Sequence, residues 1–258
     1  MTGLTVLGSG SRGNALVVHG SEGALLVDAG FSCREVRRRL KEAGIDESVL
    51  RAIVVSHEHD DHVRGLRVLA DRLSIPVYAN RLTAEAVRDR RKAPEKMMIF
   101  ASGTPFEAAG FEVEPFNIPH DALDPVGFVI RSDGCRIGVA TDLGHASHLA
   151  CHRLQGCHAL VVESNHDVGM LRDSSRPWSL KQRILGRHGH LSNEASMDLV
   201  KRVLHADTRV LVLAHASEEC NSYSVVEGCA ADCLQSVGRA DIRAAVARQS
   251  DVLETFWL

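Results

Sequence analysis

Ser56-His57-Glu58-His59-Asp60-Asp61-His62 is the stretch from which the fold is predicted. It follows the apolar run 52–55, which predicts a buried strand, and it precedes a segment with helical spacing of apolar residues. Three histidines and an aspartate at this spacing reach one small volume only if the chain turns tightly after the strand. A polar surface loop rich in histidine is the alternative. Imidazole together with carboxylate suits zinc, iron or manganese, so the stretch predicts a metal site that includes His57, His59, Asp61 and His62.

The pattern on either side of this stretch predicts an α/β protein. Apolar runs rich in β-branched residues predict strands at 3–7, 14–19, 24–28, 52–55, 126–131, 135–140, 159–163 and 209–214. Helical spacing of apolar residues predicts helices at about 33–43, 62–72, 82–90, 193–204 and 223–236. Early strands follow one another directly and later ones alternate with helices, which indicates mixed sheets covered by helices. No long linker interrupts the pattern, so we expect one domain over 1–258, with 170–192 as an excursion from its core.

The overall composition excludes some modes of binding. The chain has 258 residues, a formal net charge of −3 and only 4% aromatic residues. The chain has no overall positive charge that would attract nucleic acid. Its aromatic residues are also too few for an extended surface on which bases could stack. A nucleic-acid substrate would therefore be held by a local basic patch or by metal ions. Histidine is abundant, with fourteen residues, which points to metal or acid–base chemistry where the histidines cluster.

The cysteines and the N-terminus indicate an intracellular protein. Seven cysteines occur at irregular spacings, without the C-x2-C spacing of a zinc knuckle. The first residues lack the basic start and apolar core of a signal peptide, and no segment approaches the roughly 20 apolar residues of a membrane span. We expect a cytoplasmic protein with reduced cysteines and no membrane contact.

The His-rich stretch resembles the signature of the metallo-β-lactamase superfamily. That resemblance implies a four-layer αββα sandwich of two mixed β-sheets, with ligands supplied by loops at one edge. Asp28, in Asp28-Ala29-Gly30, resembles the first family motif, whose aspartate braces the histidine loop. Three further residues, each just past a predicted strand, resemble ligands of the family: His120, Asp142 and His215. Taken singly, His120 is as readily a surface histidine, and Asp142 a turn or helix cap.

The family ligand set implies two divalent transition metal ions, with Zn, Mn and Fe as candidates. One ion would be bound by His57, His59 and His120. The other would be bound by Asp61, His62 and His215. Asp142 and a water or hydroxide would bridge the two.

The resemblance narrows to the YycJ (WalJ) subfamily, which is associated with nuclease activity and is similar to the tRNase Z group. It covers nearly the whole chain and is carried by LGSGSRGNALVV, DAGFSCREVRRRL, VVESNHDVGML, GRHGHLSNEA and LAHASEECN. Two positions depart from the subfamily, which usually has Leu where this chain has Ala216 and Asn where it has Cys220. Both lie beside His215, so they put local substrate contacts in doubt more than metal binding.

Several other residues have both a functional and a structural interpretation. In the similar phrase of tRNase Z-like enzymes, the histidine equivalent to His190 contacts the reacting phosphate; otherwise it is a structural loop histidine. His166 holds a phosphate or is a strand-end histidine bonded to backbone. Glu163 orients a histidine that lies outside the ligand set or simply ends its strand. Asn193 is predicted to cap the helix after His190.

The glycine-rich loop 8–14 and the basic runs are also ambiguous. The loop either offers backbone N–H groups to an anion or is a hairpin turn. The runs 37–39 and 88–92 either follow a phosphate backbone or are solvated helix faces. Four residues are candidate substrate contacts: Ser11, His166, Ser192 and Asn193.

These observations predict a dinuclear metallohydrolase that acts on phosphodiester bonds, specifically an exonuclease with DNA favoured over RNA. Asp61 or Asp142 would orient the attacking hydroxide, and His190 would assist the leaving oxygen. One alternative is hydrolysis of a small ester, thioester or cyclic phosphodiester on the same fold. A second is a non-hydrolytic metal-binding or redox protein, against which the complete His57, His59 and His62 set argues.

Overall fold

The computed structural model describes residues 1–258 and contains fourteen strands. They are β1 Gly3–Gly8, β2 Ala15–Gly20, β3 Gly23–Val27, β4 Leu50–Val54, β5 Val77–Asn80, β6 Met97–Phe100, β7 Phe106–Ala108, β8 Phe111–Asn117, β9 Val126–Ser132, β10 Cys135–Ala140, β11 Ala159–Glu163, β12 Val210–Ala214, β13 Arg243–Val246 and β14 Phe256–Trp257.

Nine α-helices connect or cover the strands. They are α1 Cys33–Glu42, α2 Asp60–Val63, α3 Leu66–Leu73, α4 Arg81–Asp89, α5 His148–Leu154, α6 Val168–Asp173, α7 Trp178–Leu185, α8 Asn193–Val203 and α9 Tyr223–Ser236. A short 3₁₀ helix, Glu47–Val49, precedes β4. No helix is long and apolar enough to cross a membrane.

The strands form two mixed sheets of seven. The first has the order β14-β1-β2-β3-β4-β5-β6, and the second has the order β13-β12-β11-β10-β9-β8-β7. The run β3-β4-β5-β6 is parallel in the first sheet, and the run β13-β12-β11-β10 is parallel in the second. The carboxyl ends of β3, β4, β10, β11 and β12 lead into the loops that carry the predicted site.

Apolar residues alternate between two faces along each sheet, as a period of two requires. In β4, Ala52 and Val54 point into a cluster shared by both sheets, whereas Ile53 packs against α1, α3 and α4. The outer face of the second sheet packs in the same way against α5, α8 and α9. The predicted αββα sandwich of two mixed sheets is therefore confirmed.

The structure differs from the predicted elements in places that have physical explanations. The single helix predicted at 62–72 is divided into α2 and α3 at Gly65, where a Cβ would lie 2.0 Å from the carbonyl oxygen of Phe31. The strand β8 was not predicted, and it contains Pro115 in its interior. Pro115 is tolerated because β7 pairs only with Phe111–Val113, so the missing N–H leaves no partner unsatisfied.

The excursion at 170–192 forms an arm that contains α7 and the end of α6. Leu171 and Ile184 pack with Cys220 in a small cluster separate from the main core. This cluster holds the arm against the loop that follows β12. All seven cysteines are unpaired.

Candidate metal centre

Histidine nitrogens from two different loops meet at the carboxyl edge of the sheets. Nε2 of His57 lies 3.1 Å from Nδ1 of His59, and Nε2 of His120 lies 3.3 Å from the same atom. His57 and His59 follow β4, whereas His120 follows β8 in the other sheet. Three nitrogens that face one another this closely form the arrangement that a single metal ion needs from its ligands.

A second group of ligand atoms lies beside the first. Nε2 of His62 is 3.6 Å from Oδ2 of Asp61, and Nε2 of His215 is 3.5 Å from the same oxygen. Asp142 lies between the groups, with Oδ2 3.2 Å from Nε2 of His62 and Oδ1 3.8 Å from Nε2 of His120. The structure thus brings together all seven residues predicted as ligands, and Asp142 occupies the position between the two groups.

The residues present fit two metal ions. Asp142 and His215 are each only 2% exposed, yet Oδ2 of Asp142 and Nε2 of His215 have no hydrogen-bond partner. Buried polar atoms are rarely left unpaired, because their desolvation then goes uncompensated. A metal ion bound by these residues would give both atoms a partner.

The second nitrogen of four of these imidazoles is engaged outside the cluster. Nδ1 of each contacts a fixed acceptor or hydroxyl: His57 with Ser56 Oγ, His62 with Asp28, His120 with the carbonyl of Gly189, and His215 with Glu163. These contacts orient each ring so that Nε2 is directed into the cluster. Such outer partners determine which nitrogen carries the proton and leave the other free to bind a metal.

Asp28 connects the first motif to the histidine loop. Its carboxylate accepts hydrogen bonds from the backbone N–H and the hydroxyl of Ser56, both at 2.8 Å, and contacts Nδ1 of His62 at 2.7 Å. The expectation that this aspartate braces the loop is confirmed. Gly30 completes the brace, because a Cβ there would lie 1.7 Å from the carbonyl oxygen of Asp61.

Glu163 is a buried carboxylate that serves two histidines. Oε1 lies 2.8 Å from Nδ1 of His190 and 2.8 Å from Nδ1 of His215, while Oε2 accepts the backbone N–H groups of Leu143 and Leu191. Burial raises the pKa of Glu163, but the two histidines outweigh burial and lower that pKa to about 2. The sequence predicted that Glu163 orients one histidine, and in the structure it contacts two.

The charged residues of the cluster shift one another's pKa values. Burial, aided by the charge on His62, holds the pKa of His57 well below its usual value. Burial also opposes protonation of His62, but Asp28 and Asp142 raise the pKa of His62 well above the usual value. His215 and His62 in turn hold the pKa of Asp142 well below its usual range despite burial. The carboxylates therefore favour protonation of His62, and metal binding would compete with that proton.

Three residues of the site have left-handed backbone. The φ angles are 61° for Asp28, 58° for Asp142 and 56° for His215, each just after a strand of a parallel pair. Non-glycine residues seldom adopt this conformation, and it concentrates at functional sites. The reversal at each strand end turns the side chain toward the common edge.

The glycine-rich loop 8–14 is a turn held by hydrogen bonds within the protein and not an open binding site for an anion. The N–H groups of Gly10 and Arg12 donate to the side chains of Asn14 and Gln249, and Asn14 N–H donates to the carbonyl of Asp61. Asn14 was not predicted as part of the site, yet its Nδ2 lies 3.3 Å from Oδ2 of Asp61 and 3.2 Å from Nε2 of His62. It links the turn to the predicted ligands.

A cavity of about 190 Å³ opens over the ligand cluster. Besides five of the predicted ligands and His190, its walls are formed by Ser11, Asn165, Arg176, Leu180, Arg183, Ile184, His188, Gly189 and Ser217. Of the four candidate substrate contacts, only Ser11 reaches this cavity. The two departures from the subfamily, Ala216 and Cys220, are buried and do not reach it either.

The other three candidate contacts lie beneath the cavity wall. His166 is buried, and neither ring nitrogen has a hydrogen-bond partner. The prediction that Asn193 caps α8 is wrong, since the hydroxyl of Ser192 accepts the N–H of Ala195 and makes Ser192 the cap. The amide of Asn193 is instead held in a buried network with Ser164 and Asn221.

Comparison with known proteins agrees with this geometry. The family described as "Beta-lactamase superfamily domain" matches residues 24–216. The chain is 36% identical to Exodeoxyribonuclease YycJ of Bacillus anthracis, over 91% of this chain and 89% of that protein. It is 34% identical to Exodeoxyribonuclease WalJ of Streptococcus pneumoniae, over 84% of this chain and 82% of that one.

Solved structures support the fold at low sequence identity. The metallo-β-lactamase fold protein YhfI of Bacillus subtilis superposes with a TM-score of 0.72 at 16% identity, over 98% of both chains. The short form of human tRNase Z superposes with a TM-score of 0.63 at 16% identity, again over 98% of both chains. The chain belongs to the β-lactamase superfamily of metallo-β-lactamase-fold proteins and, within it, to the family of the YycJ and WalJ exodeoxyribonucleases.

Proposed function

We propose that this chain is a metal-dependent exodeoxyribonuclease that removes nucleotides from DNA ends. The observation that carries the proposal is the position of Asp142 between two groups of ligand atoms, directly under an open cavity lined by arginines. A paired metal site suits displacement at phosphorus, and arginines suit an anionic polymer. The names of the YycJ and WalJ relatives favour DNA over RNA.

Seven residues would hold the two ions: His57, His59 and His120 on one side, Asp61, His62 and His215 on the other, and Asp142 in common. When bound, two divalent ions supply positive charge to the phosphoryl oxygens and acidify a water molecule. Zinc, manganese and iron all suit this set of nitrogen and carboxylate ligands; we propose manganese as a good activator.

The side chains around the cluster would position the reactants and move the protons. The carboxylates of Asp61 and Asp142 are placed to accept hydrogen bonds from the attacking water. His190 lines the cavity, and Glu163 fixes the orientation of its ring through Nδ1. Nε2 of His190 is therefore the atom that would donate a proton to the leaving oxygen. Ser11 also lines the cavity and would contact a phosphate oxygen.

A basic segment at the end of α4 supports a polymeric substrate. Arg90 donates to the carbonyl of Glu58 at 2.8 Å, and Lys92 donates to Asp60 at 2.6 Å. The segment 88–92 thus lies against the histidine loop and not on a remote helix face. It would contact the DNA backbone beyond the cavity through a salt-sensitive interaction.

The test uses protein loaded with Mn or Zn and several labelled substrates: single- and double-stranded DNA, RNA, a small phosphodiester and a thioester. We expect nucleotides to be released from DNA ends. Reversing the charges of Arg90 and Arg91 should impair DNA cleavage more strongly than turnover of the small phosphodiester, because only Arg90 contacts the histidine loop. The matched control reverses Lys201, an exposed cation near the end of α8, and Arg209, an exposed cation just before β12 at the amino end of that strand. Efficient thioester hydrolysis without DNA cleavage would replace the nuclease with a small-molecule hydrolase.

A further inference from the structure

One wall of the cavity is formed by the arm that contains α7. Arg176, Leu180, Arg183 and Ile184 all line the cavity. Arg183 and Ile184 follow Leu180 by three and four residues and so lie on its side of α7, and Arg176 lies in the bend just before that helix. Leu180 and Ile184 belong to the small apolar cluster that holds the arm in place. The two arginines are therefore the cationic groups of a wall whose position is set by packing.

The two guanidinium groups pair with acids in two different loops that carry proposed ligands. Nε of Arg176 is 3.0 Å from Glu219, in the loop that carries His215. Nε of Arg183 is 2.8 Å from Asp121, which directly follows His120. Each arginine uses only its Nε in these pairs, and its terminal NH₂ groups make no hydrogen bond within the protein.

These ion pairs are weak enough to be exchanged. The side chains of Glu219 and Asp121 are 50% and 57% exposed. An ion pair in such surroundings contributes little to stability, because water screens it. A phosphate that meets the free NH₂ groups of an arginine forms a stronger, forked, charge-assisted contact. A phosphate group would therefore compete well with these exposed acids for the two arginines.

We propose that Arg176 and Arg183 bind phosphate groups of the DNA strand on the two sides of the scissile phosphate. The arm would then select a polymeric strand end over a small phosphodiester, which carries no neighbouring phosphate. This inference rests on the proposed nuclease function and names the residues that recognise its substrate. The structural alternative is that the two ion pairs only latch the arm onto the neighbouring loops.

Neutral substitutions in the metal-loaded protein separate the two roles. Arg176→Gln and Arg183→Gln should each weaken binding of a phosphorothioate-ended single-stranded DNA roughly 10- to 100-fold, as expected for loss of a charge-assisted contact. Each should also reduce the slope of log Kd against log salt by about 0.7, the value for one phosphate contact on a single strand. Turnover of a small phosphodiester should fall less than DNA cleavage does, because that substrate lacks the neighbouring phosphates. Arg172→Gln, an exposed cation of the same arm outside the cavity, is the matched control.

The acidic partners provide the decisive comparison. Glu219→Gln and Asp121→Asn should bind the DNA as tightly as the wild type or more tightly, because they free the arginines and remove nearby negative charge. If these variants lose DNA affinity as much as the arginine variants do, with matching losses of thermal stability, the latch interpretation replaces ours. Arginine variants that cleave and bind DNA like Arg172→Gln, with an unchanged salt slope, would also overturn it. A wild type that hydrolyses the small phosphodiester but neither binds nor cleaves DNA would instead overturn the proposed nuclease function.

Discussion

At the scale of single residues, Glu163 has the widest influence on the site. One of its oxygens fixes the rings of His190 and His215, and the other accepts the backbone N–H groups that follow Asp142 and His190. His215 is a proposed ligand, whereas His190 is a proposed proton donor. One buried carboxylate thus connects metal binding with proton transfer.

This arrangement predicts different consequences for two substitutions. His190→Ala should lower the rate on a small phosphodiester by roughly 10²–10⁴-fold, the usual scale for loss of a general acid, without changing metal content. Glu163→Gln should lower both the rate and the metal content, because an amide cannot accept all four contacts and His215 loses its orientation. Elemental analysis and initial rates measure the two quantities. An ordinary rate for His190→Ala would make that histidine structural, and full metal content in Glu163→Gln would separate Glu163 from the ligands.

Asp142 gives a second prediction at this scale. It is the residue closest to both ligand groups, and one of its oxygens is buried without a partner. Asp142→Ala should therefore reduce the bound metal from about two ions per chain and abolish turnover. A wild type that is fully active with a single ion would contradict the dinuclear proposal.

At the scale of elements, the site depends on how closely two strand-end loops approach each other. The turn after β3 and the histidine loop after β4 touch at Gly30, where even a Cβ would collide with the carbonyl of Asp61. The same turn supplies Asp28, which holds His62. The close approach of the turn after β3 therefore fixes where the histidine loop after β4 lies.

Gly30→Ala should separate these loops. We expect a loss of roughly 1–3 kcal/mol in the free energy of unfolding, the scale of overpacking, together with weaker metal binding. Gly228→Ala is the matched control, because Gly228 lies inside α9 and an added Cβ would meet nothing within 4 Å. It should stabilise the protein by about 0.5–1 kcal/mol through helix propensity. Urea unfolding and metal titration check both variants, and equal behaviour of the two would refute the role of the close approach.

At the scale of the whole molecule, the proposed ligands join the two sheets. His57, His59, Asp61 and His62 come from the first sheet, and His120, Asp142 and His215 come from the second. Metal ions bound here would cross-link the two halves of the sandwich. The effect adds to the apolar cluster that the sheets already share.

Removing the metals should therefore lower the unfolding temperature of the whole protein. Metal at 100 times its Kd stabilises a folded chain by about 2.7 kcal/mol, which corresponds to roughly 5–10 °C at ~2–4 °C per kcal/mol. Thermal melts with and without a chelator measure the difference. Gly228→Ala should retain the metal-dependent rise, and Asp142→Ala should lose most of it. An identical melting temperature with and without metal would show that the ions do not join the sheets.

The α/β class and the histidine loop follow from local sequence patterns, whereas the four-layer sandwich was implied by the resemblance to a known family. The short apolar runs of β1 to β4 predict buried strands, and Ser56–His62 places several ligand types within one turn. Resemblance to a known family then supplied His120, Asp142 and His215. The short or interrupted strands escaped prediction, because β8 contains Pro115 and β7 has only three residues.

The remaining site features depend on contacts between distant parts of the chain. Glu163 meets His190 and His215 across 27 and 52 residues, and Asn14 meets His62 across 48. Arg176 and Arg183 face the cavity because the arm folds back over the ligand loops. A side chain's neighbours across a sheet edge are set by the packing of whole elements, and no local period encodes that packing. The sequence alone therefore determines which residue types are available and on which strands, while tertiary packing decides which buried carboxylate orients which histidine and which arginines line the cavity.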